Sequence, residues 1–482
     1  MMNNKGGECN LVDRISKLPE EILVTIVSLL PLKEAGATSI LSKRWQYVWA
    51  STVTLDFDPK HELGEHYCRL LRVEPEQKDL LRQRYVDWVN TVVEQHRGPV
   101  IEQFRAYFDI DGHFTSSIDK WIQFAMNKRV QILELVFCNE LRSNYKDVYP
   151  FPVQLLGLQN DSTLKLNPTH SDISSLHSSG YNVGFKFLRV LYFKYVDVSG
   201  KVLEYLLSNC PVLERLKVES SNNKLVNLRV VGSSMALKYL DIQFCFALRS
   251  IEIRDANLVS FMYVGGRHIN LLLSNVPLLV EVCVNERIKP FLFEGRIYYR
   301  SIQLPFTQLS CCLSQLEVLM LPIDGAMYNQ NDVFPILSNL KHLELRVCVN
   351  DCWVRCHLIE FIKASPYLER LVLKLDFPST ELGEDKGKAA KCSPHPNLKV
   401  VEVLGYRAHP RVGEHVMHLI KNVAALEKII IDPVRRWVYP IGSDSNERVR
   451  GVQEVEAEVQ GRAHAMQHLK ENVPSTIEFV CL

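Results

Sequence analysis

The chain has 482 residues, 47% of them hydrophobic and 23% charged, with a formal net charge of +1. That length supports a large core and more than one structural unit, and the apolar-to-charged balance is that of an ordinary globular protein. The near-neutral charge gives no electrostatic footprint for nucleic acid or an anionic membrane surface, and no run of 18 uninterrupted apolar residues suggests a membrane-spanning helix.

The opening residues, MMNNKGGECNLVDR, are polar and lack the apolar segment of a secretory signal. Residues 13–49 then read DRISKLPEEILVTIVSLLPLKEAGATSILSKRWQYVW. Pro19 suits the first position of a helix, and Glu20 and Glu21 follow where the helix dipole favours acids. Ile22, Leu23, Ile26, Val27, Leu29 and Leu30 continue at helical spacing until Pro31 ends the run. A second short helix is expected from Lys33 to Leu41, weakened by Gly36 by up to about 1 kcal/mol. Ser42 is a plausible cap for a third helix from Lys43, with Leu41, Trp45 and Trp49 four residues apart on one face. Ile40, Val48 and part of the first helix are expected to pack on each other. About forty residues bury too little surface to stand alone. The apolar side chains left over either complete a small helical core or form an exposed partner face.

The stretch, and LSKRWxxxW in particular, resembles the F-box of plant F-box proteins. The resemblance implies a helical plug that docks on a Skp-type adaptor, and through it on the cullin and RING subunits of an SCF ubiquitin ligase. It implies adaptor contacts among Leu18, Pro19, Ile22, Leu23, Ile26, Leu29, Leu30, Pro31, Leu41 and Trp45. Aromatic and aliphatic anchors dominate such interfaces.

Beyond residue 52 one pattern, LxxLxL or a close variant, returns at Leu188, Leu213, Leu237, Leu316, Leu340, Leu368, Leu398 and Leu426. Looser copies start near Val53, Ile101, Val130, Leu258 and Leu278. The spacing of neighbouring clear copies matches or slightly exceeds that of leucine-rich repeats. Each repeat is one strand and a return segment that cannot bury its apolar face alone, so the repeats stack into a continuous core. Residues 206–218, 272–284, 361–373 and 419–431 align without a gap. Each reads as a helix end, a break and a strand. Residues 377–396 and 433–451 read as exposed loops. Val452, Val455, Val459, Met466 and Leu469 then trace a helical stripe before a last apolar strand. From Pro394 on, the chain resembles the FBD region that closes many plant F-box/leucine-rich-repeat proteins. The expected fold is therefore α/β: a three-helix F-box over 11–52, a leucine-rich-repeat horseshoe over 53–390 with a parallel sheet on its concave side, and an FBD-like covering region over 391–482.

Nucleotide-binding, metalloprotease, hydrolase and kinase motifs are absent, and no cofactor is expected. Thirteen cysteines, an odd and scattered set, read as reduced thiols of an intracellular protein, nuclear or cytoplasmic. Cys348, Cys352, Cys356 and His357 are the one tempting cluster. Zinc sites more often use close CxxC pairs, and Cys348 closes a predicted strand, so no metal is expected. A catalytic Cys356–His357 pair is disfavoured because adjacent residues rarely point at each other. Leucine-rich repeats most often bind proteins through the residues between the leucines, here Tyr192, Arg215, Tyr239, His342, Arg346 and Arg370 among others. Their mixed chemistry suits a protein surface. The expected role is a non-catalytic substrate receptor for an unidentified client. The alternative is a scaffold that uses the adaptor without degrading a client.

Overall fold

The computed structural model describes residues 14–60, 75–137, 148–156, 185–232, 236–266, 269–286, 303–322, 334–348, 353–376, 395–435 and 452–482. It divides into two compact units, Met1–Leu213 and Glu214–Leu482.

In the first unit a 3-10 turn (Ile15–Lys17) leads into α1 (Glu20–Ser28), α2 (Leu32–Ala37), a second 3-10 turn (Thr38–Ile40) and α3 (Lys43–Ala50). Pro19 and Pro31 stand just before α1 and α2, where a missing N–H is harmless. Ser42 caps α3 as expected, its hydroxyl accepting from the Trp45 amide at 3.3 Å. Leu23, Val27, Ala35, Trp45 and Val48 make the helical core, with Leu18, Val24 and Trp49 packed at its edge.

The loose early copies of the repeat are strands. β1 (Thr54–Phe57) is followed by α4 (Pro75–Gln95), β2 (Gln103–Phe108), α5 (Thr115–Asn127) and β3 (Ile132–Phe137). The short β4 (Tyr149–Pro150), β5 (Val190–Lys194), the short β6 (Val196–Asp197) and α6 (Gly200–Asn209) complete the unit. β1, β2, β3 and β5 pair in that order, all parallel, and β4 pairs with β6. α5 turns Ile118, Trp121, Ile122, Ala125 and Met126 inward, which is helical spacing on one face.

The second unit runs β7 (Arg215–Glu219), β8 (Asn227–Val231), β9 (Tyr239–Gln243), β10 (Ser250–Arg254), β11 (Ser260–Gly265), β12 (Asn270–Ser274) and β13 (Glu281–Glu286). It continues with α7 (Gln303–Gln308), β14 (Val318–Pro322), β15 (His342–Cys348), α8 (Trp353–Ala364), β16 (Arg370–Asp376), β17 (Val400–Leu404), α9 (Pro410–Lys421) and β18 (Lys428–Asp432). α10 (Val452–His464), a π turn (Ala465–Leu469) and β19 (Glu478–Cys481) close the chain. Strands β7, β9, β11 and β13–β19 form one parallel sheet in sequence order. Every clear repeat copy in this unit starts its strand two residues after its first leucine. The three apolar positions of each, such as Leu340, Leu343 and Leu345, are buried.

Two expectations are corrected. The return segment of 272–284 is a strand rather than a helix: β8, β10 and β12 form a second, three-stranded parallel sheet. Repeat length explains it. Strand starts at 239, 260 and 281 lie 21 residues apart, whereas those at 342, 370, 400 and 428 lie 28 to 30 apart. A five-residue strand crosses about 17 Å, a distance that takes about eleven residues of helix. The short repeats have no room for the helix. The second correction concerns the C-terminal stripe. Val452, Val455, Val459 and Met466 face outward, and α10 docks instead through Glu458, Gly461, Ala465 and Leu469. Gly461 makes this possible, since a Cβ there would come within 2.7 Å of the Tyr406 carbonyl oxygen. The expected loops at 377–396 and 433–451 fall almost wholly outside the described residues.

Candidate functional site

The helical element builds two opposed faces on α1. Leu23 and Val27, four residues apart, turn inward, while Ile22, Ile26 and Leu29 turn out. Of the ten candidate contacts, Pro19, Ile22, Ile26 (40% exposed), Leu29 (82%), Leu30 and Leu41 are exposed, and Leu18 and Pro31 are half-buried. Leu23 (0%) and Trp45 (8%) are buried in the helical core. Trp45 is drawn in by its indole N–H, which donates to Ser16 Oγ at 3.0 Å. Leu41 lies before the cap of α3, so it does not extend the tryptophan face.

Ile40, expected in the core, is 85% exposed. It sits in a 3-10 turn, where the 3.6-residue period that placed it inward no longer holds. Ile15 and Tyr47 join it as exposed apolar side chains that the sequence reading did not single out. The role of Arg44 was also missed. Its guanidinium donates to the carbonyls of Ser16 and Leu18, the latter at 2.6 Å, and ties the first turn to α3. The S-K-R-W run is therefore a cap, a clamp and a core anchor in succession. Beside it lies an open cleft of about 710 Å³, lined by Gly36, Lys43, Tyr47, Trp49, Glu94 and Arg97 among others.

On the main sheet of the second unit, residues between the leucines share one face. The Arg215 guanidinium stacks 3.6 Å above the Tyr239 ring, a cation–π contact. His342 and Arg370 are register partners. Burial, then the charge of Arg370, holds the His342 imidazole below its usual value. Arg370 donates to Glu402 at 2.6 Å. Arg346 pairs in register with Lys374, which bonds Glu344. With Cys283, Asn285 and Met320 these three line a small cavity of about 30 Å³. Five candidates thus fall into two groups, Arg215 with Tyr239 and His342 with Arg346 and Arg370. Tyr192 is on β5 of the first unit. Each charge on this face largely answers another, so the surface is polar without a dominant sign.

Cys348 ends a strand and Cys356 belongs to a helix, as the spacing argument expected. Cys352 and the side chains of Cys348, Cys356 and His357 lie outside the described residues. Among the described residues no group of three His, Cys, Asp or Glu side chains is placed to hold a metal, and no helix is long and apolar enough to cross a membrane.

The F-box domain family matches residues 15–54, and the leucine-rich-repeat family described as At1g61320/AtMIF1, LRR domain, matches residues 92–482. The chain belongs to the plant F-box/leucine-rich-repeat proteins. It is similar to the F-box/LRR-repeat protein At2g42730 of Arabidopsis thaliana, 26% identical over 442 residues that cover 88% of this chain and 91% of the relative. The FBD-associated F-box protein At5g38590 of the same plant is 26% identical, covering 89% and 96%. The F-box/FBD/LRR-repeat protein At4g26340, also from Arabidopsis thaliana, is 27% identical, covering 88% and 93%. In this F-box/LRR protein the F-box match spans the helical element with its exposed apolar set. The repeat match spans the strand face.

Proposed function

We propose that this F-box/LRR protein is the substrate-receptor subunit of an SCF-type cullin–RING ubiquitin ligase. The F-box docks on a Skp-type adaptor, and the strand face of the repeats holds a client protein. The chain performs no bond chemistry in this reading. It holds the client beside the charged ubiquitin-conjugating enzyme, which turns a bimolecular encounter into an effectively intramolecular one. We assign the F-box to 11–52, the repeats to 53–390 and an FBD-like cover to 391–482, in a nuclear or cytoplasmic protein.

One observation carries the reading: the helical element completes its own core with Leu23, Val27, Trp45 and Val48, yet leaves Ile22, Ile26, Leu29, Ile40 and Leu41 in solvent. Several large apolar side chains left exposed on one small element point to a docking site. Ile26→Asp and Leu29→Asp change exposed positions and should leave helical circular dichroism intact while abolishing co-purification with a Skp-type adaptor. Retention of the adaptor by both variants would end the assignment. Comparing client half-life with and without the chain separates a degradative receptor from a scaffold.

A further inference from the structure

We propose that His464 and His468 form a binding site for a divalent transition-metal ion of the zinc, nickel or copper class, at the last turn of the C-terminal helix. His464 closes α10 and His468 lies four residues on, inside the π turn. Residues four apart on a helical backbone stand one above the other. The two imidazole rings are 4.6 Å apart, centroid to centroid, at 48°. Zinc–nitrogen bonds of about 2.0–2.1 Å need two ligating nitrogens roughly 3 Å apart, a span the exposed His468 ring would reach by turning toward His464.

The surroundings prepare one ring for the task. Tyr406 is fully buried, and its hydroxyl lies 2.9 Å from His464 Nδ1. The tautomer in which Nδ1 donates to that oxygen leaves Nε2 as the lone-pair nitrogen, and it is the one the site requires. A ligating histidine is characteristically held this way by a second partner. Imidazole nitrogen suits zinc, copper and nickel over calcium or magnesium. No third ligand is already in place among the described residues, so water completes the coordination. A bound ion would lock the π turn and, through Tyr406, tie the final helix to the end of β17.

The test titrates Zn²⁺ alone into the full chain, freed of chelator, with a chromophoric chelator as competitor. The wild-type chain should bind one more ion than His468→Ala, or bind the same ion at least tenfold more tightly. His468 is exposed, so that variant keeps its fold, checked by an unchanged melting curve without zinc. Tyr406→Phe should weaken binding about tenfold or more. A zinc-dependent rise in melting temperature should appear in the wild type and vanish in His468→Ala. Equal stoichiometry and affinity in wild type and His468→Ala would overturn the site. Wild-type affinity in a folded Tyr406→Phe would overturn the positioning role of Tyr406.

Discussion

At the residue scale, Gly36 shows how a local rule and a packing rule can oppose each other. Helix propensity alone makes it a weakness worth up to about 1 kcal/mol. In the fold, however, a Cβ at this position would lie 2.4 Å from Trp49 Nε1. The glycine is there because an indole lies across it. Gly36→Ala should therefore destabilise the F-box by about 1–3 kcal/mol despite the better helix former, read as a lower midpoint in chemical denaturation. His96 makes a second residue-scale prediction. It is buried, and its Nε2 lies 2.9 Å from the Thr52 carbonyl oxygen. Burial and, to a lesser degree, Lys128 lower its proton affinity against the opposing pull of that carbonyl. His342 is lowered too. Well above pH 6.5 both rings are neutral in the folded and unfolded chain. As pH falls below 6.5 the unfolded chain takes up protons first, so stability declines until each depressed folded-state value is reached. Denaturation midpoints should fall between pH 7.5 and 5.5, and less steeply in His96→Asn.

At the scale of elements, the leucine pattern places the strands but not what returns between them. That choice follows from how many residues a repeat holds. The 21-residue repeats cross back as β10 and β12, and the two 28-residue repeats hold α8 and α9. The turns out of β5, β7, β9, β10 and β12 also escape the pattern, because they rest on Tyr195, Ser220, Phe244, Asp255 and Asn275 in the left-handed region. Only Asn and Asp among these are common there, so no sequence signal marks the other three. The last helix docks through its small side. Gly461→Ala should push α10 away from the Tyr406 carbonyl and loosen the ion pairs of Glu454 with Arg407 and Arg435. Limited proteolysis should then cut residues 452–482 earlier than in the wild type, with the melting temperature lowered by a few degrees.

At the scale of the molecule, repeat stacking makes stability local. Each strand of the second unit pairs with its immediate neighbours in the sheet, so a defect should weaken nearest repeats first. Leu345→Ala removes a fully buried side chain from β15, at a cost of about 2–5 kcal/mol. Hydrogen exchange should accelerate most in β14, β15 and β16 and fade toward β9 and β19. A uniform acceleration across all ten strands would instead mean that the unit unfolds as one body.

The amino-acid order by itself determined the helical F-box, the α/β class and the position of nearly every strand in the main sheet. Those features follow from periodicity and from prolines and leucines, whose effects act within a few residues. Only the tertiary structure decided which apolar side chains of the F-box lie inside. The same helical spacing serves Leu23 and Ile22 alike, and the core claims one because Trp45 and Val48 pack against it. It alone brought Tyr406 to His464 across 58 residues, and laid Trp49 over Gly36. Contacts between residues distant in the chain leave no periodic trace, and those contacts set which face of α1 is exposed and where His464 meets Tyr406.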